Sequence, residues 1–204
     1  MLKKLSIAAA GSAIATLTAV SGANAASFSY TGSGGAFPPT FTSSITVTDD
    51  IAIDDLSLDL NNFQHTWAGD VVATLSFDDG FGSVISTVMS NPLGGVDSGN
   101  FDFNGDYTFA DGGIALPRIN PLPEGTYAPE DSFIDIFGGL NAKGTWTLEL
   151  LDALPAFDDG SLGSWDLNIE GDPVSTPEPA SLLGLFGIGV LGATSLKRKQ
   201  KEKV

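Results

Sequence analysis

Thr145-Trp146-Thr147-Leu148-Glu149-Leu150-Leu151 and Ser164-Trp165-Asp166-Leu167-Asn168-Ile169-Glu170 decide the fold. In both stretches every second residue is large and apolar. A period of two puts alternate side chains on opposite faces of a strand, so Trp146, Leu148 and Leu150 share one face, and Trp165, Leu167 and Ile169 share another. Neither stretch carries the i, i+3, i+4 spacing of an amphipathic helix. The same alternation, broken by Gly, Asp, Asn and Pro, predicts strands over 41–48, 51–60, 71–77, 83–89, 107–110 and 133–137. The phase slips at Asp54-Asp55, which suits a β-bulge. Asp78-Asp79-Gly80 is a turn signal between two of these strands. Stretches 90–105 and 111–131, rich in Gly, Pro and Asp, read as loops, and the glycine-rich 31–35 belongs to a flexible lead-in at 26–42. About eight strands in about 150 residues predict an all-β domain, an antiparallel β-sandwich or jelly roll, over 43–172.

The chain has 204 residues, no cysteine and one histidine, His65. That inventory excludes disulfide scaffolds, thiol enzymes, iron–sulfur proteins and metal sites built on Cys or several His. Of the 25 acidic and nine basic residues, 23 acids but only Arg118 and Lys143 lie between positions 26 and 176, a net charge of −21. A nucleic-acid binder needs a basic footprint, so no nucleic-acid partner is expected. The field repels anionic lipid and attracts cations.

Both ends read as addresses. Lys3-Lys4, an apolar run and then Ala23-Asn24-Ala25 form a signal peptide over 1–25, with Ala23 and Ala25 at the −3 and −1 places of a signal-peptidase site. At the other end, a linker at 173–179 contains Pro177-Glu178-Pro179. An uncharged segment at 180–196 and a basic tail at 197–204 follow. Seventeen helical residues span about 25 Å, enough for a short transmembrane helix, and the basic cluster holds the tail on the cytoplasmic side.

Pro-Glu-Pro, a short span and a basic end closely resemble the PEP-CTERM sorting signal of bacterial exported proteins. The resemblance implies an exosortase-type transpeptidase as processing partner, a precursor held in the membrane, and release to the cell envelope or extracellular matrix. The middle of the chain resembles a second family. His65-Thr66-Trp67-Ala68-Gly69-Asp70, Gly144-Thr145-Trp146-Thr147-Leu148 and Asp159-Gly160-Ser161-Leu162-Gly163-Ser164-Trp165-Asp166-Leu167 look like the P domain (P/Homo B) that follows the catalytic domain in proprotein convertases and related subtilisin-like serine proteases. The resemblance implies a jelly-roll sandwich and an association with proteolysis.

No constellation of residues points to catalysis. His65 lies in the accessory-domain motif, no subtilisin-type serine motif precedes it, and the region before residue 43 is too short for a protease domain. Structural roles are expected for His65, Asp70, Trp146 and Trp165, while Trp67 stays open as a sugar-stacking residue. Paired acids at 49–50, 54–55, 78–79 and 158–159 suit turn chemistry. Calcium is the expected cofactor, because hard cations want clustered oxygens. Asp102, Asn104 and Asp106 offer oxygens at alternate positions. Asp111, Asp152, Asp158 and Asp159 could add to them from neighbouring loops. The expected function is therefore that of an exported, non-catalytic, P-domain-like sandwich with a structural or adhesive role. The alternatives are an accessory domain acting on a partner serine protease and a calcium-dependent carbohydrate-binding module that takes a polysaccharide.

Overall fold

The computed structural model describes residues 25–37, 39–90, 102–117 and 119–174. Within them the chain is all-β: β1 (Ala26–Ala36), β2 (Thr40–Val47), β3 (Ile51–His65), β4 (Val71–Asp78), β5 (Ser83–Ser90), β6 (Phe103–Ile114), β7 (Gly125–Tyr127), β8 (Gly144–Asp152) and β9 (Gly160–Pro173), with one short helix, α1 (Phe133–Phe137). These form a five-stranded sheet of order β1-β9-β3-β6-β7 and a four-stranded sheet of order β2-β8-β4-β5. All pairs are antiparallel except β6 with β7.

The pairing is nested. β1 pairs with β9, β2 with β8, β3 with β6 and β4 with β5, as in one long hairpin. Winding that hairpin on itself adds the β3–β9 and β4–β8 pairs. One apolar core fills the space between the sheets, drawing Leu58, Leu60, Leu167 and Ile169 from one and Leu75, Trp146, Leu148 and Leu150 from the other. Trp146 and Trp165 are fully buried. Each finds an acceptor for its indole N–H: Trp146 donates to the Ala142 carbonyl at 2.9 Å and Trp165 to Ser43 Oγ at 3.0 Å. The register shift between Ile53 and Asp55 is the bulge that the phase slip implied. Asp78-Asp79-Gly80 does close the β4–β5 hairpin, with the two Asp carboxylates accepting from the Gly80, Phe81 and Gly82 amides.

Three expectations are corrected. The lead-in is not a loose segment, because 26–36 is the edge strand β1, paired with β9 along nearly its whole length. Its glycines mask it: a Cβ on Gly32 would collide with the Trp165 indole, so that residue must be small for the strand to cross the ring. Stretch 133–137 is a helix and not a strand. Phe-Ile-Asp-Ile-Phe fits both periods, and the choice is made from elsewhere in the chain. Asp111 of β6 accepts from the Phe133 and Ile134 amides at 2.9 and 2.8 Å, Ser132 accepts from the Asp135 amide, and Phe133 and Phe137 then bury the same face. Among the described residues nine strands stand where about eight were expected, since β1 and β7 add to the count and 133–137 leaves it.

The signal peptide, the transmembrane segment at 180–196, the basic tail, and Ala23, Pro177, Glu178 and Pro179 lie outside the described residues. Ala25 opens the described chain and is exposed. Among the described residues no helix is long and apolar enough to cross a membrane.

Candidate functional site

Strand alternation builds the site. The inward face of β8 runs Trp146, Leu148, Leu150, Asp152. That of β3 runs Leu56, Leu58, Leu60 and, past a second register shift, Phe63 and His65. Each strand therefore ends on a polar residue at a core position, one from each sheet. His65 and Asp152 are only 2% and 1% exposed. They meet with His65 Nε2 3.7 Å from Asp152 Oδ2.

Two loops complete the cluster. A single 3-10 turn, Ala68–Asp70, carries Asp70 into the interior just before β4. The β8–β9 loop carries Asp158, whose Oδ2 lies 3.8 Å from His65 Nδ1 and accepts from Thr66 Oγ1 at 3.1 Å. A backbone bond from the Ala153 amide to the Asp70 carbonyl, 2.8 Å, ties the loops together. Phe37 stacks on the imidazole at 5.5 Å between centroids. Gly160 sits opposite His65 in the β3–β9 register, and a Cβ there would run into the Phe37 ring and come within 2.7 Å of His65 Cδ2.

The electrostatics are one-sided. Burial, then the Asp158 and Asp152 charges, push the Asp70 carboxyl above its ordinary range, and His65 acts in the opposite sense. Lys143 is the only lysine or arginine among the described residues, and its ammonium pairs with Asp50 at 2.9 Å.

The seven acidic and amide groups expected as cation ligands fall into separate places. Asp152 and Asp158 join His65, with one ligand atom from each of the three within 4.8 Å of the others. Asp102, Asn104 and Asp159 line a surface cavity of about 420 Å³ that also reaches His65. Asp106 accepts from the Asn62 amide at 2.7 Å, and Asp111 caps α1. His65 and Asp70, expected as structural residues, stand in the acidic cluster. The signal that would have found it is the alternation itself, extended one step beyond Leu150 to Asp152 and beyond Phe63 to His65. Trp67 is 39% exposed on the loop beside the cluster, and Leu154 and Phe157 are exposed on the other loop.

The PEP-CTERM protein-sorting motif is matched at residues 175–199. The motif marks an exported protein sorted to the cell envelope or surface, and such motifs are generally processed by exosortase. No curated protein sequence matches the chain. Two solved structures overlap it with a TM-score of 0.37: the serine protease of Aeromonas sobria, 14% identical over 71% of this chain, and the complex of that protease with its chaperone ORF2, 12% identical over 72%. The chain spans 27% of the length of those matched chains.

Proposed function

We propose that the protein is an exported, non-catalytic binding module of the P-domain kind, delivered to the envelope or extracellular matrix and released there from its sorting tail. The observation that carries this reading is position: the sorting motif at 175–199 begins within two residues of the end of β9 at Pro173, so the whole two-sheet domain is its cargo. The nested strand pairing is that of a jelly roll, the fold of the P domain. The histidine-tryptophan-aspartate and glycine-threonine-tryptophan motifs sit at the end of β3 and the start of β8.

The state of His65 supports the non-catalytic part. A hydrolase of the serine type needs a hydroxyl on one ring nitrogen and a carboxylate on the other. Here Nδ1 accepts from the Trp67 amide at 3.1 Å and Nε2 faces Asp152, and among the described residues no hydroxyl is bonded to the ring. The exposed Trp67 and Phe157 favour a polysaccharide as the bound matrix component, because aromatic faces stack on sugar rings.

The full-length chain is expected to leave casein and fluorogenic peptides intact and to co-sediment with the organism's insoluble extracellular polysaccharide. Trp67→Ala and Phe157→Ala together should abolish co-sedimentation while leaving the melting temperature in place. Peptide hydrolysis lost in His65→Ala would overturn the non-catalytic reading. Co-sedimentation unchanged in the double variant would overturn the sugar-binding face.

A further inference from the structure

The cluster at the end of β3 and β8 is short of positive charge. Two carboxylates, Asp152 and Asp158, stand 3.7 and 3.8 Å from a single imidazole, Asp70 is near enough for its carboxyl to feel their charges, and no lysine or arginine among the described residues reaches the cluster. The side chains of His65 and Asp152 are wholly buried, and that of Asp158 is 11% exposed. Three of their atoms, His65 Nε2, Asp152 Oδ2 and Asp158 Oδ1, are buried without a hydrogen-bond partner. Their other atoms are held: Asp152 Oδ1 accepts from the Leu154 amide at 2.8 Å and Asp158 Oδ2 from Thr66. Buried polar atoms are nearly always satisfied, so an orphan on each of three residues whose ligand groups gather within 4.8 Å points to a missing partner. Excess negative charge says that the partner is a cation.

We infer that His65, Asp152 and Asp158 bind one divalent metal ion of the zinc class. Ligands stand about 2.0–2.2 Å from a zinc ion, so in its tetrahedral shell ligand atoms lie about 3.3–3.6 Å apart. One ligand atom from each residue already lies within 4.8 Å of the others, and binding draws them together to about 3.4 Å. One imidazole nitrogen among carboxylate oxygens selects the class. Calcium and magnesium prefer all-oxygen shells, whereas imidazole suits zinc and its first-row neighbours. The chain has no cysteine and no second histidine to compete for the ion.

Binding has a marker in the ring. Nδ1 accepts from the Trp67 amide, which leaves the proton of the neutral imidazole on Nε2, facing Asp152. A metal on Nε2 shifts that proton to Nδ1, and a metal on Nδ1 displaces the Trp67 N–H. Either outcome changes the environment of the Trp67 amide and of the chain's single histidine.

The test is zinc titration of the full-length chain in mild detergent after chelator treatment, followed by ¹⁵N spectra of the His65 ring and the Trp67 amide and by thermal melting. Both sets of resonances should move to completion at one equivalent, and the melting temperature should rise by several degrees and keep that rise in high NaCl. Cobalt(II) in place of zinc should give visible ligand-field bands. His65→Gln and Asp152→Asn should each lower zinc affinity at least tenfold. Should either variant fail to fold, the wild-type titration decides alone. Ring resonances unmoved by zinc, or moved by calcium in preference to zinc, would overturn the inference.

Discussion

Gly160 lies directly across the β3–β9 ladder from His65, and its missing side chain is the space into which the Phe37 ring and the imidazole stack. The seat of the cluster is thus set by an absence of atoms on one strand and by burial on another. Gly160→Ala must displace Phe37 or His65. Overpacking of this kind costs about 1–3 kcal/mol. Gly82→Ala, where an added Cβ meets nothing within 4 Å, should be close to neutral. Urea unfolding of the two variants side by side checks the contrast.

Asp111 holds the start of α1 through the Ser132 hydroxyl and the Phe133 and Ile134 amides. Asp111→Ala removes all three hydrogen bonds at once and should cost about 1–2 kcal/mol, the upper range for a lost helix cap. Because this carboxylate stands apart from the His65 cluster, any stabilisation by added divalent cations should be unchanged in the variant. Melting curves with and without cation measure both effects. A cation response that disappears with Asp111 would make it a ligand.

The tyrosines set an alkaline limit. Burial, with the Asp49 carboxylate that accepts from its hydroxyl at 2.9 Å, pushes Tyr30 up to about 12. Burial also raises Tyr107 and Tyr127 above 10.0. A phenol whose pKa is higher folded than unfolded binds more protons in the native state between the two values. Stability therefore falls as pH rises from the unfolded value near 10 towards the folded one. Phenolate absorbance of the native protein should stay low at pH 10 and rise only above it. Tyr30→Phe should narrow the loss of stability between pH 10 and 12. Titration of all three at pH 10 in the folded state would contradict the assignment.

Much of this architecture can be read from residue order, and the exceptions share a cause. β4, with Val71, Ala73, Leu75 and Phe77 buried, is legible because every second residue is apolar and Thr74, Ser76 and Asp78 alternate with them. β1 is not, since Gly32, Gly34 and Gly35 erase the alternation where the strand crosses Trp165 and its neighbours. In 133–137 the local pattern allows two periods, and Asp111, 22 residues upstream of Phe133, breaks the tie. The site follows the same rule. Asp152 and Asp158 were recognisable by type as candidates for a cation site, yet their meeting with His65 depends on the β3–β9 and β4–β8 pairings that wind the sheets together. Nothing in local sequence joins position 65 to positions 152 and 158. Asp106 and Asp111 have the same chemistry as those candidates and are engaged with backbone amides instead.

The central claim is that this domain is cargo, cut free of its sorting tail. It is tested most directly by intact-mass measurement of the protein recovered from the envelope and extracellular matrix of cells with and without exosortase. With the enzyme, the chain should begin near Ala26 and end close to Pro177-Glu178-Pro179, and replacing those three residues by alanine should leave the full tail in the membrane fraction. A wild-type matrix form that retains every residue through Val204 would contradict the account and make 180–196 a permanent anchor.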